Sequence, residues 1–300
     1  GDLTCRYLVS AVGQLHHPSL PNIAGRESFE GPRFHSAQWD HETDLAGKQV
    51  AVIGSAASAI QLIPEVAEVA QQLTIYQRSP NWVIDKGDRP YSALEKRIAK
   101  YIPALQKLYR LSVWCLGEYV IYPIIKGAPI RSYLARAKNR LDMRKYISDP
   151  EMRRQLTPDY PIGAKRILFS DKYYKTLARE NVELVAGELE NITRDGVTSI
   201  DGTHRLHDVI VFATGFYTNP FLKDLDVLGR HGKSLKMHWG DGAFAYHGVA
   251  TSGFPNLFFL YGPNTNTGHT SVVATLEQEA DYIIQLLQRA KGQTIEVDAK

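Results

Sequence analysis

The sequence has 300 residues, of which 44% are apolar and 22% are charged, and its formal net charge is +3 at pH 7. These values suit one or two globular domains and exclude a disordered or fibrous chain. A net charge this small gives no indication of nucleic-acid binding. The two cysteines, Cys5 and Cys115, match no metal-binding or redox spacing, so we expect a reducing, cytoplasmic location.

Strand and helix patterns alternate along the chain, which predicts an α/β fold. Strands are predicted at residues 7–13, 48–53, 73–77, 182–185, 192–193, 208–212 and 257–261, and a last helix at 272–290. With no signal peptide and no apolar run long enough to span a bilayer, we expect a soluble protein. Because residues 7–13 resemble a strand from mid-sheet, we also expect the natural chain to begin upstream of Gly1.

The segment GSAASA, residues 54–59, lies between a predicted strand and a predicted helix and fits the slot of a G-x-G-x-x-G dinucleotide-binding turn. Gly54 permits the tight turn. Ala56 and Ala59 are small enough for a pyrophosphate to approach and for the helix to pack closely. Ser58 adds a hydroxyl at the helix N-terminus. The same pattern also suits a turn that only packs a helix, so both interpretations stay open here.

The next predicted strand ends in Arg78 and Ser79. A site for NADH would carry an acid at this point, to bind the ribose hydroxyls. An arginine followed by a hydroxyl suits a 2′-phosphate instead, so these residues favour NADPH. A solvated arginine is the alternative.

Six segments, in this order, extend over most of the chain: FEGPRFHSAQWD, VAVIGSAASAIQ, QRSPNW, GAKRILFSDKYY, VFATGF and GFPNLFFLYGPNTNTGH. Together they resemble the flavin-dependent Baeyer–Villiger monooxygenases, relatives of the flavin-containing monooxygenases. The first segment, residues 29–40, has neither a helical nor a strand pattern, and we predict a loop there. It fits the family fingerprint F-x-G-x-x-x-H-x-x-x-W-[PD] at Phe29, Gly31, His35, Trp39 and Asp40.

The resemblance implies roles for individual residues. Lys165 would join Arg78 and Ser79 around the 2′-phosphate. Arg166 would be the active-site arginine that stabilises a negatively charged flavin peroxide, and His35 would couple the two nucleotide domains. Without the resemblance, we would favour a solvated basic pair for Lys165 and Arg166, and the alternative for His35 is a linker histidine. The further cofactor-binding positions that the matching segments imply are Gln61, Thr214, Gly215 and Asn264.

The resemblance also implies a division into domains. We expect a Rossmann-like NADPH-binding domain at 26–215 with a helical insert at 91–156. Residues 1–25 and 216–300 would be parts of the FAD domain of a flavoprotein with two dinucleotide-binding domains. The chain contains no second G-x-G-x-x-G turn, so we expect this fragment alone to bind FAD poorly and to be inactive. The family's active-site aspartate is assigned to no residue here.

The expected activity is a monooxygenase that uses NADPH, FAD and O₂ on a small ketone or on a sulfide or other soft heteroatom. A non-catalytic NADPH-binding or regulatory module is the alternative. A hydrolase would need G-x-S-x-G, and a thiol–disulfide reductase would need CxxC; the sequence has neither. A metal site built from His16, His17, His35 and His41 is disfavoured, because no metal-binding spacing occurs.

The predicted insert is strongly basic. Residues 95–147 contain 12 Lys and Arg against 3 acids, a local charge of +9, and tyrosines and tryptophans are interleaved from Tyr91 to Tyr146. This segment could associate weakly with an anionic membrane surface. We prefer the interpretation that it buries its aromatic rings and shapes the substrate pocket, because its charges are spread along the segment.

Overall fold

The computed structural model describes residues 1–218, 221–222 and 224–298. Its contacts divide the chain into two compact units, one formed by Gly1–His17 with Phe216–Lys300 and the other by Pro18–Gly215. The predicted limits of the nucleotide domains stay predictions, because a compact unit and a cofactor domain need not coincide.

The described residues form strands and helices in the following order. The strands are β1 (Leu8–Ser10), β2 (His17–Pro18), β3 (Arg33–His35), β4 (Gln49–Ile53), β5 (Gln72–Gln77), β6 (Val83–Ile84), β7 (Leu168–Phe169), β8 (Val182–Ala186), β9 (Leu189–Ile192), β10 (Gly196–Ser199), β11 (His204–Leu206), β12 (Val209–Phe212), β13 (Phe216–Tyr217) and β14 (Leu257–Phe259). The helices are α1 (Ala59–Val69), α2 (Ala93–Tyr101), α3 (Pro103–Leu116), α4 (Tyr122–Ile125), α5 (Pro129–Tyr146), α6 (Pro150–Gln155), α7 (Tyr173–Leu177), α8 (Leu235–Trp239) and α9 (Val272–Ala290).

A five-stranded parallel sheet, in the order β3-β12-β4-β5-β8, forms the centre of the larger unit. Its inner strands β4 and β12 are apolar runs with little exposure, as expected for a parallel sheet covered on both faces. From β4 the chain proceeds through α1 to β5 and then β8, whereas β12 lies on the other side of β4. The strand order therefore reverses between β4 and β12, the point at which α/β sheets bind ligands. The predicted Rossmann-like α/β fold is confirmed.

The prediction of a loop throughout residues 29–40 is wrong in part. Arg33–His35 form β3, the edge strand of the parallel sheet, and Phe212 of β12 is the register partner of His35. Three residues are too few to show the alternation by which a strand is predicted. The partner strand is also far along the chain, so no local pattern reveals the pairing.

A second sheet in this unit is antiparallel, in the order β11-β10-β9, and neither β10 nor β11 was predicted. Both strands are short. A signal was nevertheless present, because Asp201 and Gly202 lie between them and Asp-Gly is a typical hairpin turn. Gly202 has a φ of +80°, a conformation that this turn requires and that glycine adopts readily.

The smaller unit contains β1 and β14, which pair in parallel, and the long helix α9. The predicted helix at 272–290 is confirmed with the same bounds. Phe258 and Ile283 share one apolar cluster, so α9 packs against the face of β14. A second cluster contains Phe221, Trp239 and Phe259.

The predicted helical insert contains α2 to α6. Helix α2 begins with a capping box, in which Ser92 and Glu95 each bond the other's backbone N–H. The interpretation that the insert buries its aromatic rings is wrong, because Tyr101, Tyr119 and Tyr133 are each exposed by more than 60%. Helices α2 and α3 have no buried residue. Within the described ranges, no helix is both long and apolar enough to cross a membrane.

Polar contacts, one of them buried, join the segments of the two sheets of the larger unit. The Tyr76 hydroxyl lies 2.8 Å from Nε2 of His207, and Arg205 of β11 makes a bidentate ion pair with Glu183 of β8. Burial, followed by the nearby Arg205, lowers the pKa of His207 to about 4. His207 is therefore neutral in the folded protein at neutral pH.

We expect His207 to make the fold sensitive to acid. Its folded pKa is lower than the ordinary value of 6.5, so between pH 6.5 and 4 the unfolded chain binds a proton that the folded chain does not. Stability should fall through this window by ~3 kcal/mol in total. Urea unfolding at about pH 7.5 and about pH 4.5 measures the loss, and His207→Gln should reduce it.

Tyr76→Phe is the matched control for this experiment. It removes the hydroxyl partner of His207 but keeps the site buried, and burial is the main cause of the lowered pKa. The wild-type dependence on pH should therefore persist in Tyr76→Phe. A dependence on pH that is unchanged in His207→Gln would show that other groups cause it.

Candidate functional site

The turn after β4 is held between the two neighbouring strands. The Gly54 N–H donates to the Tyr76 carbonyl at 2.9 Å, and a Cβ on Gly54 would lie 2.4 Å from the carbonyl oxygen of Ala213. Gly54 also has a φ of +118°. Both observations require glycine here, so the structure explains why the first position of the predicted fingerprint is a glycine.

Helix α1 starts directly after this turn, at Ala59. Its N-cap residue Ser58 makes no capping hydrogen bond, so no described side chain occupies the N–H groups of the first turn. Ala56 is exposed and Ala59 is buried. The Gln61 side chain donates to the Ala57 carbonyl at 2.8 Å. An uncapped helix start beside exposed small residues fits the pyrophosphate of a dinucleotide.

The loop after β5 is fixed by backbone and side-chain bonds. Ser55, which is buried, donates from its hydroxyl to the Ser79 carbonyl at 3.2 Å, and the Asn81 amide donates to the Ser55 carbonyl at 3.1 Å. The Tyr160 hydroxyl donates to the Pro80 carbonyl at 2.9 Å. The sequence interpretation missed Ser55, Asn81 and Tyr160, whose positions in the loop depend on contacts between distant segments.

Three of the predicted residues form a basic cluster at this loop. Lys165 Nζ donates to the Ser79 hydroxyl at 3.3 Å and lies 4.5 Å from the centre of the Tyr160 ring. Arg78 precedes Ser79, is exposed, and makes no side-chain hydrogen bond or ion pair with any residue that the structure describes. Two cations and a hydroxyl in one exposed place suit an anion with two negative charges.

Arg166 follows Lys165 and precedes the buried Ile167 and Leu168. Leu168 belongs to β7, which pairs with β6, so the backbone on the C-terminal side of Arg166 is anchored. The Arg166 side chain is exposed and has no ion-pair partner among residues 1–218, 221–222 and 224–298. A guanidinium held at the start of a strand without a carboxylate partner can receive an anionic ligand.

His35 lies at the end of β3 and is only 2% exposed. Its Nδ1 accepts a hydrogen bond from the Ala37 N–H at 3.1 Å, so the proton of the neutral ring is on Nε2. Burial lowers the pKa of His35, and a hydrogen bond to the Gly215 backbone partly opposes this shift. His35 therefore connects β3 to the segment that follows β12.

Thr214 and Gly215 connect the end of β12 to a segment near the start of the unit. The Thr214 hydroxyl donates to the Ser19 carbonyl at 2.5 Å, and the Ser19 N–H donates to the Gly215 carbonyl at 2.9 Å. Because the five strands are parallel, Gly54, Arg78, His35 and Thr214 all lie at the carboxyl edge of one sheet. The structure thus brings together most of the predicted site residues.

Asn264 belongs to the smaller unit. It has a φ of +64°, and its side-chain amide donates to the Ala243 carbonyl at 3.4 Å. Near it, the buried Glu279 carboxylate accepts the Tyr261 N–H at 2.6 Å, and burial raises the pKa of this carboxyl group. The same unit has an apolar cavity of about 440 Å³, which Gly13, Tyr261 and residues of α9 line. The sequence interpretation missed Glu279.

The structure shows where the four histidines of the disfavoured metal site lie. His16 and His17 lie with Asp224 in a group whose potential ligand atoms are within 4.8 Å of one another. His35 instead bonds backbone groups through its ring, and His41 does not belong to the group. The four histidines named from the sequence therefore do not form one site.

Comparison with known proteins agrees with this geometry. The family model described as pyridine nucleotide-disulphide oxidoreductase matches residues 1–115. A Baeyer–Villiger monooxygenase of Pseudomonas aeruginosa is 41% identical over 299 residues, which are 99% of this chain and 56% of that protein. The chain therefore spans about half the length of this curated relative.

Solved structures show the same fold. An oxidized steroid monooxygenase bound to NADP has a TM-score of 0.82 at 31% identity, and the match covers 98% of this chain and 65% of that one. A complex of OTEMO with FAD and NADP has a TM-score of 0.81 at 27% identity, covering 98% of this chain and 64% of that one.

The sheet has the topology of a dinucleotide-binding α/β domain, and the matching family model is one of oxidoreductases. The similarity in sequence and in structure extends over nearly the whole chain and is to monooxygenases. Among these monooxygenases, the Pseudomonas aeruginosa relative carries the name Baeyer–Villiger monooxygenase, and the similarity to it covers 99% of this chain.

Proposed function

We propose that the protein containing this chain is an NADPH- and FAD-dependent monooxygenase. It inserts one oxygen atom of O₂ into a ketone to give an ester or lactone, or oxygenates a soft heteroatom. NADPH supplies the hydride, and FAD with O₂ supplies the oxygen atom that is transferred. The chain on its own is expected to be inactive, since it contains one dinucleotide-binding turn and the activity needs two nucleotide cofactors.

The observation that carries the proposal is the basic cluster beside the Gly54 turn. Arg78, Ser79 and Lys165 offer two cations and a hydroxyl to the 2′-phosphate, a group that NADPH has and NADH lacks. Gly54, Ala56 and the uncapped start of α1 would hold the pyrophosphate. Ser58, Ala59 and Gln61 shape the same turn.

Arg166 would hold the negative charge that develops during oxygen transfer. Its guanidinium stays charged and donates hydrogen bonds in a fixed fork, so it stabilises an anion without giving up a proton. It adjoins Lys165, which would bind the nucleotide. The residue proposed to bind NADPH is therefore adjacent in the chain to the residue proposed to act on the reacting atoms.

The histidine and the segment after β12 would position the cofactors. Neutral His35 carries its proton on Nε2, and its bond to the Gly215 backbone links β3 to the end of β12. Thr214 and Gly215 would contribute to nucleotide binding at this edge. In the smaller unit, Asn264 would contribute to the FAD side through its loop.

Oxygen incorporation tests this proposal. The protein, purified with FAD, should oxidise NADPH faster when a ketone is added, and the ester or lactone should contain one ¹⁸O atom when ¹⁸O-labelled O₂ is supplied. The assay should include cyclic and linear ketones and a sulfide. NADPH binding without labelled product from any of them would favour the non-catalytic NADPH-binding module instead.

A further inference from the structure

One aromatic side chain, Tyr160, contacts both segments that carry the basic cluster. Its hydroxyl donates to the Pro80 carbonyl at 2.9 Å, on the loop that begins with Arg78 and Ser79. In addition, Lys165 Nζ lies over its ring, 4.5 Å from the ring centre. The two cations of the cluster are far apart in the sequence, so Tyr160 connects segments that the chain separates.

The position of Tyr160 is fixed by its own backbone and by burial. Its carbonyl accepts a hydrogen bond from Nε1 of Trp82 at 3.1 Å, and Trp82 is only 3% exposed. Tyr160 is half-buried and packs against the apolar cluster that contains Trp82 and Ile162. Burial raises the pKa of the Tyr160 hydroxyl, so this group stays protonated at neutral pH and serves as the donor to Pro80. The ring is therefore held in one place.

A tight turn brings Lys165 back toward this ring. The Ala164 N–H donates to the Pro161 carbonyl at 3.0 Å, which closes a four-residue turn. Gly163 stands at the third position of the turn with a φ of +95°, and a type II turn requires a positive φ there. A Cβ on Gly163 would also lie 2.7 Å from Cα of Ile125, so a larger residue would not fit. The turn therefore fixes the point from which the Lys165 side chain reaches the ring.

The ring restricts the Lys165 ammonium without taking up its hydrogen-bond donors. An ammonium over an aromatic face is attracted by the negative charge on that face. Nζ has three N–H donors, and one of them donates to the Ser79 hydroxyl at 3.3 Å. The ring accepts no conventional hydrogen bond, so donors remain for a phosphate oxygen. A lysine already held beside the phosphate site loses less side-chain freedom when the ligand binds, which raises the affinity.

We propose that Tyr160 positions the 2′-phosphate site and sets its selectivity for NADPH over NADH. Its ring directs the Lys165 ammonium toward Ser79, and its hydroxyl fixes the loop that carries Arg78 and Ser79. Tyr160 is thus a positioning residue, which acts through the two cations and the serine hydroxyl rather than by contact with the nucleotide. The inference rests on the proposed use of NADPH, and it adds the residue on which the selectivity depends.

Binding titrations on the complete protein with FAD test this proposal through two variants. Tyr160→Leu removes both the ring and the hydroxyl, and it should raise the dissociation constant of NADPH by roughly 6- to 20-fold. Tyr160→Phe keeps the ring beside Lys165 but loses the bond to Pro80, so this constant should rise by only about 2- to 4-fold. NADH lacks the 2′-phosphate, so its affinity should stay within about twofold of the natural value in both variants, which also shows that they fold.

A double-mutant cycle with Lys165→Ala separates positioning from packing. In the natural background, Tyr160→Leu should bind NADPH about 3- to 5-fold more weakly than Tyr160→Phe, because only phenylalanine retains a ring. When both proteins also carry Lys165→Ala, this difference should vanish, since the ring has no ammonium to hold. A difference that persists without Lys165 would show that the ring only packs the loop, and would overturn the proposal.

The matched control is Tyr146→Leu. Tyr146 is also half-buried, and Lys145 Nζ lies 5.0 Å from the centre of its ring, but it belongs to α5 and not to the basic cluster. NADPH affinity should not change in this variant. If Arg78→Ala lowers the preference for NADPH and neither Tyr160 variant does, this inference fails while the proposed function stands. If the natural protein binds NADH as tightly as NADPH, the proposed 2′-phosphate site and this inference both fail.

Discussion

Replacing Arg166 by alanine should lower the rate of oxygen transfer by ~10²- to 10³-fold, the usual effect of removing a group that stabilises developing negative charge. NADPH affinity should change little, because Arg78, Ser79 and Lys165 remain. The measurement is the rate of ester or lactone formation at saturating NADPH, with the NADPH dissociation constant measured on the same protein.

Two variants make the Arg166 result specific. Arg166→Lys keeps the charge but loses the planar fork, so it should retain more activity than alanine and less than the natural residue. Arg179→Ala removes an arginine that is also exposed and whose Nε donates to Asn181, so it serves as the control. If Arg166→Ala still forms ester at the natural rate, Arg166 has no part in the chemistry.

Replacing Arg78 by alanine should raise the dissociation constant of NADPH by ~10- to 100-fold. A hydrogen bond to a charged group contributes ~1.5–3 kcal/mol, and each 1.4 kcal/mol is a factor of ten. NADH has no 2′-phosphate, so its affinity should stay the same. Titration with both nucleotides measures the selectivity directly.

Lys165→Ala and the double variant extend the test of the 2′-phosphate site. Because Lys165 lies 3.3 Å from the Ser79 hydroxyl beside Arg78, the two cations should bind the same phosphate, and their effects should not be additive. NADPH binding should also weaken with rising salt more in the natural protein than in the double variant. An equal loss of NADH and NADPH affinity would show that Arg78 holds the loop rather than the phosphate.

Much of the α/β fold was predictable from local pattern. Residues 49–53 and 209–212 are apolar strands, and the helix at 272–290 has a periodic apolar face, so each element shows its type in its own sequence. Arg33–His35 and the strands β10 and β11 were not predicted. They are short, and their formation depends on partners rather than on propensity.

The residues of the candidate site that could be predicted are those whose type is required by the ligand or by the turn. Gly54, Arg78 and Lys165 could be named because a tight turn and a phosphate demand particular residues. Ser55, Asn81 and Tyr160 could not, since they act by holding a loop, and such contacts between distant segments leave no local pattern. The exposed aromatic rings of the insert were also mispredicted, because composition does not show which surface a ring faces.

The pairing of β3 with β12 limits how the protein can be recombined with its relatives. His35 is held in position because it pairs in register with Phe212. The strands β3 and β12 therefore depend on each other, although they are far apart in the chain. A chimera that takes one strand from each parent must keep this alignment, since a shift of one residue would turn the histidine to the other face of the sheet. Exchange points outside residues 18–215 preserve both strands together, whereas a junction between them combines an edge strand and its neighbour from different parents.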